Sequence, residues 1–393
     1  MSTRNLEKIF NPQRIAVIGA SDDPASAGNI ALRNLVGSGF RGVVYPVNAE
    51  LESVLSIQAY PNVASLPKAP DLALVCTPAA SAPQVVRECG EAGILGLVIA
   101  AAGFRETGDE GKKLEEQIRA EAAKFDGLRI VGPNSLGIMA PPLNLNLSFA
   151  TAMPPAGRVA FVSQSGALSA AVLDWARQQG IGLSYFVSIG NMIDVDFGDL
   201  IDYFGSHPHT HSILLYLESL THAREFMSAA RAFARSKPIV ACKVGRFTES
   251  AKAAASHTGE MVGEDAAYDA AFQRAGIVRA FEIADMFDCA ELLGHRTPPK
   301  GPRLAIITNA GGPGVMAADA LLSRGGTLAQ LSDAVFAKLN TTLPPHWSHD
   351  NPIDILGDAT SDRFVQSIQA VATDSNVDAI LVILTPQAAT DPT

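Results

Sequence analysis

The sequence has few cysteines and no cysteine motif. Its 393 residues include four cysteines, Cys76, Cys89, Cys242 and Cys289, which are widely spaced and form no CxxC pair. Each falls in an apolar stretch, where a cysteine usually packs as a small apolar side chain. We therefore expect reduced, structural thiols.

Long apolar runs and an excess of positive charge are also missing. Hydrophobic residues make up 47% of the chain, but they come in runs of roughly five to eight, well below the ~18 that a membrane helix needs. Residues 1–10 are polar and charged, unlike a secretory signal. The formal net charge of −10 argues against a nucleic-acid or anionic-membrane surface. We expect a cytoplasmic protein with no nucleic-acid or membrane partner.

The first third of the chain alternates short β-rich runs with helical stretches. Such alternation is typical of a parallel sheet wound on both faces. The predicted strands are 15–18, 43–47, 72–76, 95–100 and 129–131. We expect a Rossmann-like domain over residues 1–142.

Proline-rich breaks divide the rest of the chain. A break that starts at the proline pair 141–142 and continues at 153–155 precedes a second α/β domain, 155–296, with strands at 159–162, 183–188, 213–216 and 238–243. A break at 297–302 precedes a third α/β domain, 302–393, which starts with a strand at 304–308, a glycine-rich turn and a helix at 315–323. Its last predicted strand, 379–384, runs into a Thr-Pro pair where a doubly wound sheet should continue. We expect this domain to be incomplete and the chain to be a fragment of a longer polypeptide.

Two helix starts and one histidine suggest phosphate chemistry. Residues 163–166 (Ser-Gln-Ser-Gly) and 311–314 (Gly-Gly-Pro-Gly) each follow an apolar strand and open a helix. This arrangement directs backbone N–H groups and a helix dipole at an anion. His257 lies in a small-residue loop before an alanine-rich helix. Each segment alone is also compatible with a structural turn, but together they suggest a phosphohistidine enzyme.

The loop after the first strand, residues 19–28, predicts a nucleotide-like ligand at the carboxyl edge of the first sheet. It lacks the GxGxxG spacing, and the second strand ends in Tyr45-Pro46-Val47-Asn48 without an acidic residue. An NAD-dependent dehydrogenase is therefore disfavoured. Residues 77–78 and 132–135 also follow strands, and are either ligand contacts or turn residues.

Seven short segments occur together in an order typical of one family. They are Ile18-Gly19-Ala20-Ser21, Tyr45-Pro46-Val47-Asn48, Gly132-Pro133-Asn134-Ser135, Ser163-Gln164-Ser165-Gly166, Ser256-His257-Thr258-Gly259, Gly311-Gly312-Pro313-Gly314 and Asn351-Pro352-Ile353-Asp354. The chain resembles the NDP-forming acyl-CoA synthetases, relatives of succinyl-CoA synthetase and of the ADP-forming acetyl-CoA synthetases, essentially end to end. The resemblance implies a Rossmann-like CoA-binding domain followed by two flavodoxin-like α/β domains of the succinyl-CoA-synthetase type.

The resemblance also implies roles for individual residues. His257 would carry a phosphoryl group, and Glu218 would orient it. The implied phosphate contacts are Ser163, Ser165, Gly166, Gly311, Gly312 and Gly314. The implied CoA contacts are Gly19, Ala20, Ser21, Gly28, Pro46, Asn48, Thr77, Pro78 and Asn134. We predict no metal ligand in the chain.

The implied reaction interconverts acyl-CoA, phosphate and ADP with acid, CoA and ATP. CoA or acyl-CoA, a small carboxylic acid and phosphate would be the ligands. The family uses an ATP-grasp domain or subunit, which holds Mg²⁺ with ATP or ADP, and nothing in this chain resembles one. A homo- or hetero-oligomer is expected. The sequence does not identify the acid or decide between ADP and GDP.

Two observations bear on an alternative function. Ala49-Glu50 stand where related sequences commonly have proline and lysine, so that a basic contact to CoA is missing. Some protein lysine acetyltransferases carry a similar region as a sensor of CoA or acyl-CoA. The intact loop around His257 favours the ligase over this regulatory alternative.

Overall fold

The computed structural model describes residues 3–247, 249–250, 264–294, 299–387 and 390. The chain divides into two compact units, Met1–Arg296 and Thr297–Thr393. The described helices are α1 (Leu6–Phe10), α2 (Ala27–Gly37), α3 (Ala82–Glu91), α4 (Asp109–Ala122), α5 (Gly166–Gln178), α6 (Phe197–Ser206), α7 (Ala223–Phe233), α8 (Asp265–Ala275), α9 (Ile283–Gly294), α10 (Gly311–Ser323), α11 (Asp333–Thr342) and α12 (Ser361–Ala372).

The described strands follow the same alternation. They are β1 (Arg14–Ile18), β2 (Val43–Val47), β3 (Ser53–Val54), β4 (Ile57–Gln58), β5 (Leu72–Val75), β6 (Gly96–Ile99), β7 (Arg129–Val131), β8 (Gly137–Ala140), β9 (Leu145–Ser148), β10 (Ala156–Ser163), β11 (Leu183–Ser188), β12 (Ser212–Leu217), β13 (Ile239–Lys243), β14 (Val278–Ala280), β15 (Arg303–Thr308), β16 (Thr327–Leu328), β17 (Ile353–Asp354) and β18 (Ala379–Ile383). Among the described residues, every helix falls short of the length and apolarity that a bilayer span needs.

The first sheet has the order β2-β1-β5-β6-β7, with all neighbours parallel. Its strands read as continuous apolar runs because both faces are covered. Ile15 and Val17 join one apolar core with residues of α1 and α2, whereas Ala16 and Ile18 join another with residues of α3 and α4. This period of two is the pleat of a strand buried on both sides. The predicted doubly wound sheet is confirmed.

The second sheet has the order β14-β13-β12-β10-β11-β8-β9. The first five strands are parallel, but β8 is antiparallel to β11 and β9 is antiparallel to β8. The sequence did not indicate β8 and β9. The proline pair 141–142, taken as the start of a break, lies in a short 3₁₀ turn, Pro141–Leu143, that joins them. One apolar core includes Leu32 from the first domain and Val162 and Phe204 from the second, so the two sheets pack as one unit.

The third sheet belongs to the second unit and is centred on β15. β18 pairs along one edge of β15, at residues 304–308. β16 pairs with residues 303–304 and β17 with residues 307–308, so these two short strands share the other edge. All of these pairs are parallel, as the α/β pattern predicted.

Candidate active site

The loop after β1 is held tightly against the start of α2. Gly19 has φ +85°, a left-handed conformation that favours glycine, and its N–H donates to the Val47 carbonyl at 3.0 Å. A Cβ on Gly28 would lie 2.2 Å from the Gly19 carbonyl oxygen. Gly19 is therefore favoured by its backbone conformation, and Gly28 by the close approach of the helix and loop backbones.

Two asparagines fix the shape of this loop. The Asn48 amide donates to the Ala20 carbonyl at 2.7 Å, and its Oδ1 accepts from the backbone N–H groups of residues 50 and 51. The Asn29 amide donates to the Ser21 carbonyl, also at 2.7 Å. Ser26 caps α2 by accepting from the Asn29 N–H. The loop conformation is thus set before any ligand binds.

A cleft of about 430 Å³ opens at the carboxyl ends of β1, β2 and β5. Gly19, Asn48 and Thr77 line it together, as the sequence predicted for the edge of the sheet. The Thr77 Oγ1 is buried and has no hydrogen-bond partner among the described residues, so it is available to a ligand. Glu50 also lines the cleft, and its lining contains no lysine or arginine.

Other predicted CoA contacts lie beside this cleft and do not line it. Pro46 is buried within β2, where its carbonyl accepts from the Tyr60 N–H at 2.9 Å. Pro78 is exposed and precedes a 3₁₀ turn. Ala20, Ser21 and Gly28 shape the loop and are not among the lining residues.

A second loop forms where β10 meets α5. The Ser163 hydroxyl accepts from the Ser165 N–H at 3.1 Å and donates to its carbonyl at 3.0 Å. Ser165 Oγ caps α5 by accepting from the Leu168 N–H at 3.4 Å. The helix begins at Gly166, as predicted, and the first-turn N–H groups of a helix have no intrahelical acceptor. This end of α5 suits an anion.

Glu218 lies beside this loop, just after β12, the neighbour of β10. Its N–H donates to Gln164 Oε1 at 2.5 Å, and the Ser219 N–H donates to the same oxygen at 3.0 Å. Gln164 Nε2 donates in turn to Ser219 Oγ at 3.2 Å. Gln164 has no predicted role of its own, yet it connects Glu218 to the predicted phosphate loop. Glu218 is 8% exposed. His257 lies outside the described residues.

Ser188, at the end of β11, joins the predicted CoA and phosphate regions. It pairs with Ser163 in the sheet, and the following Ile189 N–H donates to the Ser163 carbonyl at 2.9 Å. On its other side, Ser188 Oγ accepts from the Leu136 N–H at 2.9 Å, and the Ser188 carbonyl accepts from Ser135 Oγ at 2.5 Å. Asn134, a predicted CoA contact, is next to Ser135 in the chain. The carboxyl edges of the two sheets are therefore linked through Ser188.

The glycine-rich turn in the second unit differs from expectation in one detail. The helix was expected from Val315, but α10 begins at Gly311, so Gly311, Gly312 and Gly314 form its first turn. The Thr308 hydroxyl accepts from the Ala310 N–H at 3.1 Å and orders the strand-to-helix turn. A helix thus starts at the glycine-rich segment of this unit, and its role in anion binding stays a prediction.

A buried lysine near Glu218 was missed by the sequence argument. Lys243 ends β13, is 1% exposed and lies 4.6 Å from the ring centre of Tyr268. Its ammonium donates to the Val244 carbonyl. Burial lowers the pKa of Lys243, while the nearby Asp265 opposes the shift. A lysine at the end of a β-strand carries no motif, so only the fold reveals it.

Metal-ligating groups are not clustered in the part of the chain that the structure describes, where no set of three or more His, Cys, Asp or Glu side chains could hold a metal ion. Cys89 is buried and Cys76 is partly buried, and burial raises the pKa of each thiol to about 12.

Known proteins match the chain over its whole length. Residues 13–141 match a CoA binding domain, residues 156–293 a succinyl-CoA ligase like flavodoxin domain and residues 304–392 a ligase-CoA domain. The Archaeoglobus fulgidus acetate–CoA ligase [ADP-forming] I is 42% identical over 386 residues, which are 98% of this chain but 56% of that protein. The chain thus spans little more than half of this relative.

Two further matches cover more of the known protein. The Pyrococcus furiosus acetate–CoA ligase [ADP-forming] II subunit alpha is 41% identical over 378 residues, covering 96% of this chain and 82% of that subunit. The solved structure of the dinucleotide forming acetyl-coenzyme A synthetase 1 of Ca. Korarchaeum cryptofilum, in complex with phosphate and ADP, has a TM-score of 0.94 and 38% identity. The match covers 98% of this chain and 83% of the chain in that structure.

The sheets and the three domain matches, a CoA binding domain among them, place the chain in the succinyl-CoA-ligase class. Identity of about two residues in five, over most of an alpha subunit, narrows the class further. The chain belongs to the family of ADP-forming acetate–CoA ligases.

Proposed function

We propose that this chain performs the CoA and phosphohistidine half-reactions of an ADP-forming acid–CoA ligase. In the direction of acyl-CoA breakdown, a phosphate oxygen attacks the thioester carbonyl carbon. The C–S bond breaks, CoA leaves as its thiolate and takes up a proton, and an acyl phosphate forms. His257 then attacks phosphorus, the bond from phosphorus to the acyl oxygen breaks, and the acid leaves as a carboxylate.

The observation that carries the proposal is the link through Ser188. Ser188 accepts from Ser135, the chain neighbour of the predicted CoA contact Asn134, and pairs in the sheet with Ser163 of the predicted phosphate loop. An acyl-CoA held by the first sheet would extend its thioester towards a phosphate held at the start of α5. Positioning and electrostatic stabilisation supply most of the rate in such transfers.

Glu218 would hold the His257 ring while the other ring nitrogen attacks, as carboxylates do in other nucleophile systems. The hydrogen bond that the Glu218 N–H donates to Gln164 Oε1 holds the backbone of Glu218 beside the predicted phosphate loop. The resemblance also makes Gly311, Gly312 and Gly314 candidate phosphate contacts, and within the second unit they lie in the first turn of α10.

Completion of the cycle would need an ATP-grasp domain, elsewhere in the same polypeptide or on a partner subunit. That domain would hold ADP with Mg²⁺ and accept the phosphoryl group from His257. The relatives are named for acetate, so acetate is the first acid to test. A cytoplasmic location and assembly into an oligomer belong to the same proposal.

Mass spectrometry of phosphopeptides tests the proposal directly. The chain is incubated with acetyl-CoA and phosphate, and a His257→Ala variant is treated in parallel. Acid-labile, base-stable phosphate on His257 is expected in the first sample only. If acetyl-CoA binds, but neither it nor other acyl-CoAs give phosphohistidine, the ligase proposal fails and the acyl-CoA-sensing alternative gains support.

A further inference from the structure

Asn191 uses its polar groups to hold the second sheet to the first domain. It follows β11 and is 6% exposed. Its Nδ2 donates to Glu106 Oε2 at 2.9 Å and to Glu115 Oε1 at 2.8 Å. Its backbone N–H donates to the Pro133 carbonyl at 2.9 Å, and its own carbonyl accepts from the Arg105 guanidinium. A single residue thus contacts three segments of the first domain.

The acceptors for the Asn191 amide are themselves held in place. Glu106 Oε1 accepts from the N–H groups of Gly103 and Phe104 at 2.7 and 3.0 Å. Burial opposes ionisation of Glu106, but hydrogen bonds from Asn191 and these N–H groups keep its pKa below the ordinary value. Glu115 is 3% exposed and lies on α4. The amide therefore bridges two carboxylates that cannot move freely.

The residues before Asn191 lie between the two predicted binding regions. A Cβ on Gly190 would be 2.0 Å from the Pro133 carbonyl oxygen and 2.6 Å from that of Asn134. Ile189 donates to the Ser163 carbonyl. The segment 189–191 is thus in contact with the loop of Asn134 on one side and with the phosphate loop on the other.

We infer that Asn191 is a positioning residue for acyl transfer, which keeps the loop of Asn134 in register with the loop of Ser163. The inference rests on the proposed function. In the proposed function the first sheet, with its cleft at Gly19, Asn48 and Thr77, would hold CoA. Asn191 does not line that cleft, so it would act on the transfer step and not on CoA affinity. A displacement of about 1 Å between reacting groups can lower a rate by about a hundredfold.

Asparagine suits this place because its NH₂ group donates to both carboxylates. Asn191→Asp keeps the size of the side chain but removes both donors and places a third carboxylate beside Glu106 and Glu115. Adding Glu106→Gln to that variant restores one hydrogen bond with the donor and acceptor exchanged. If the double variant regains activity, the loss in Asn191→Asp comes from the specific contact between residues 191 and 106 and not from a general loss of stability.

The assay is phosphate-dependent release of the CoA thiol from acetyl-CoA by the purified chain, followed with a thiol reagent. For Asn191→Asp we expect kcat to fall by about tenfold to a hundredfold while KM for acetyl-CoA stays within about twofold. The double variant with Glu106→Gln should regain part of kcat. Asn146→Asp is the matched control, since Asn146 is a buried asparagine on β9 whose Oδ1 accepts a local hydrogen bond from Ser148.

The outcomes separate the two proposals. Without phosphate-dependent CoA release by the unaltered chain, the proposed function fails and this inference fails with it. If the unaltered chain is active but Asn191→Asp matches Asn146→Asp in kcat, or if KM rises as much as kcat falls, Asn191 is only structural. Should Asn191→Asp not fold, Asn191→Ala removes the same two bonds without a new charge and is judged by the same values.

Discussion

Replacing Gly28 with alanine tests whether the loop after β1 binds CoA. The new Cβ would lie 2.2 Å from the Gly19 carbonyl oxygen, 3.0 Å from the Gly19 carbonyl carbon and 3.2 Å from the Ala20 Cα. All three are backbone atoms, so no side chain can rotate away. A carbon–oxygen contact needs about 3.3 Å, and α2 and the loop must therefore separate by roughly 1 Å.

The expected free-energy change follows from this displacement. Forcing a methyl group into a packed site costs about 1–3 kcal/mol, and the higher helix propensity of alanine returns at most ~1 kcal/mol. We expect Gly28→Ala to lower the free energy of unfolding by about 1–2 kcal/mol. Loop N–H groups displaced by this much should also bind phosphate oxygens poorly, so the Kd for CoA should rise by about tenfold, or 1.4 kcal/mol.

Gly37→Ala provides a control on the same helix. Gly37 is the last residue of α2, and a Cβ there would meet no atom within 4 Å. We expect equal or slightly higher stability and an unchanged Kd. Isothermal titration calorimetry with CoA and urea unfolding measure both quantities. Equal Kd values for the two variants would refute a CoA site at this loop, even if Gly28→Ala were less stable.

Three further predictions concern the second loop, the carboxylate and the thiols. Glu218→Gln should slow formation of the acid-labile phosphohistidine by at least about a hundredfold without changing the Kd for CoA. Rapid-quench measurement of phosphorylation checks this. An unchanged rate would mean that Glu218 has no part in the mechanism. Ser165→Ala removes a helix cap, so it should lower the free energy of unfolding by about 1 kcal/mol, and it should also raise KM for phosphate. Ser332→Ala, which removes the corresponding cap of α11, should lower stability without changing KM. Equal KM values for the two variants would show that Ser165 acts only as a helix cap. Because burial raises the pKa of Cys76 and Cys89 to about 12, both should be neutral thiols at pH 8. They should resist iodoacetamide in the folded protein but react with it in urea. Mass spectrometry of briefly alkylated native protein checks this, and modification of either cysteine would contradict it.

Most parallel strands of the first two sheets were predictable because they are buried on both faces. A run such as β11 (Leu183–Ser188) is buried throughout and stands out from the polar segments around it. The hairpin of β8 and β9 was not predictable in this way. Each strand has four residues, and the prolines between them suggested the start of a linker. Its place is set by pairing with β11, more than forty residues further along the chain.

The candidate site shows the same division between local and distant information. The helix starts at Gly166 and Gly311 follow from glycine and serine after an apolar strand, which is a local pattern. Asn191 and Glu115 meet only because two domains pack together, and no spacing in the sequence joins residues 76 positions apart. Lys243 is similar, since a lysine in a sequence is normally expected at the surface.

The hairpin of β8 and β9 also determines where this polypeptide can be divided. A cut at the proline-rich break near residue 154 looks natural from the sequence, yet it would remove two strands from the second sheet and leave β11 as its edge. That strand is apolar and fully buried, and an uncovered edge of this kind invites pairing with other chains. Asn34 of α2 reinforces the connection by donating to the carbonyls of Ser148 and Ala150, next to the present edge strand. Functional chimaeras of related proteins should therefore keep the first two domains from one parent, with a crossover after residue 296, where the first compact unit ends.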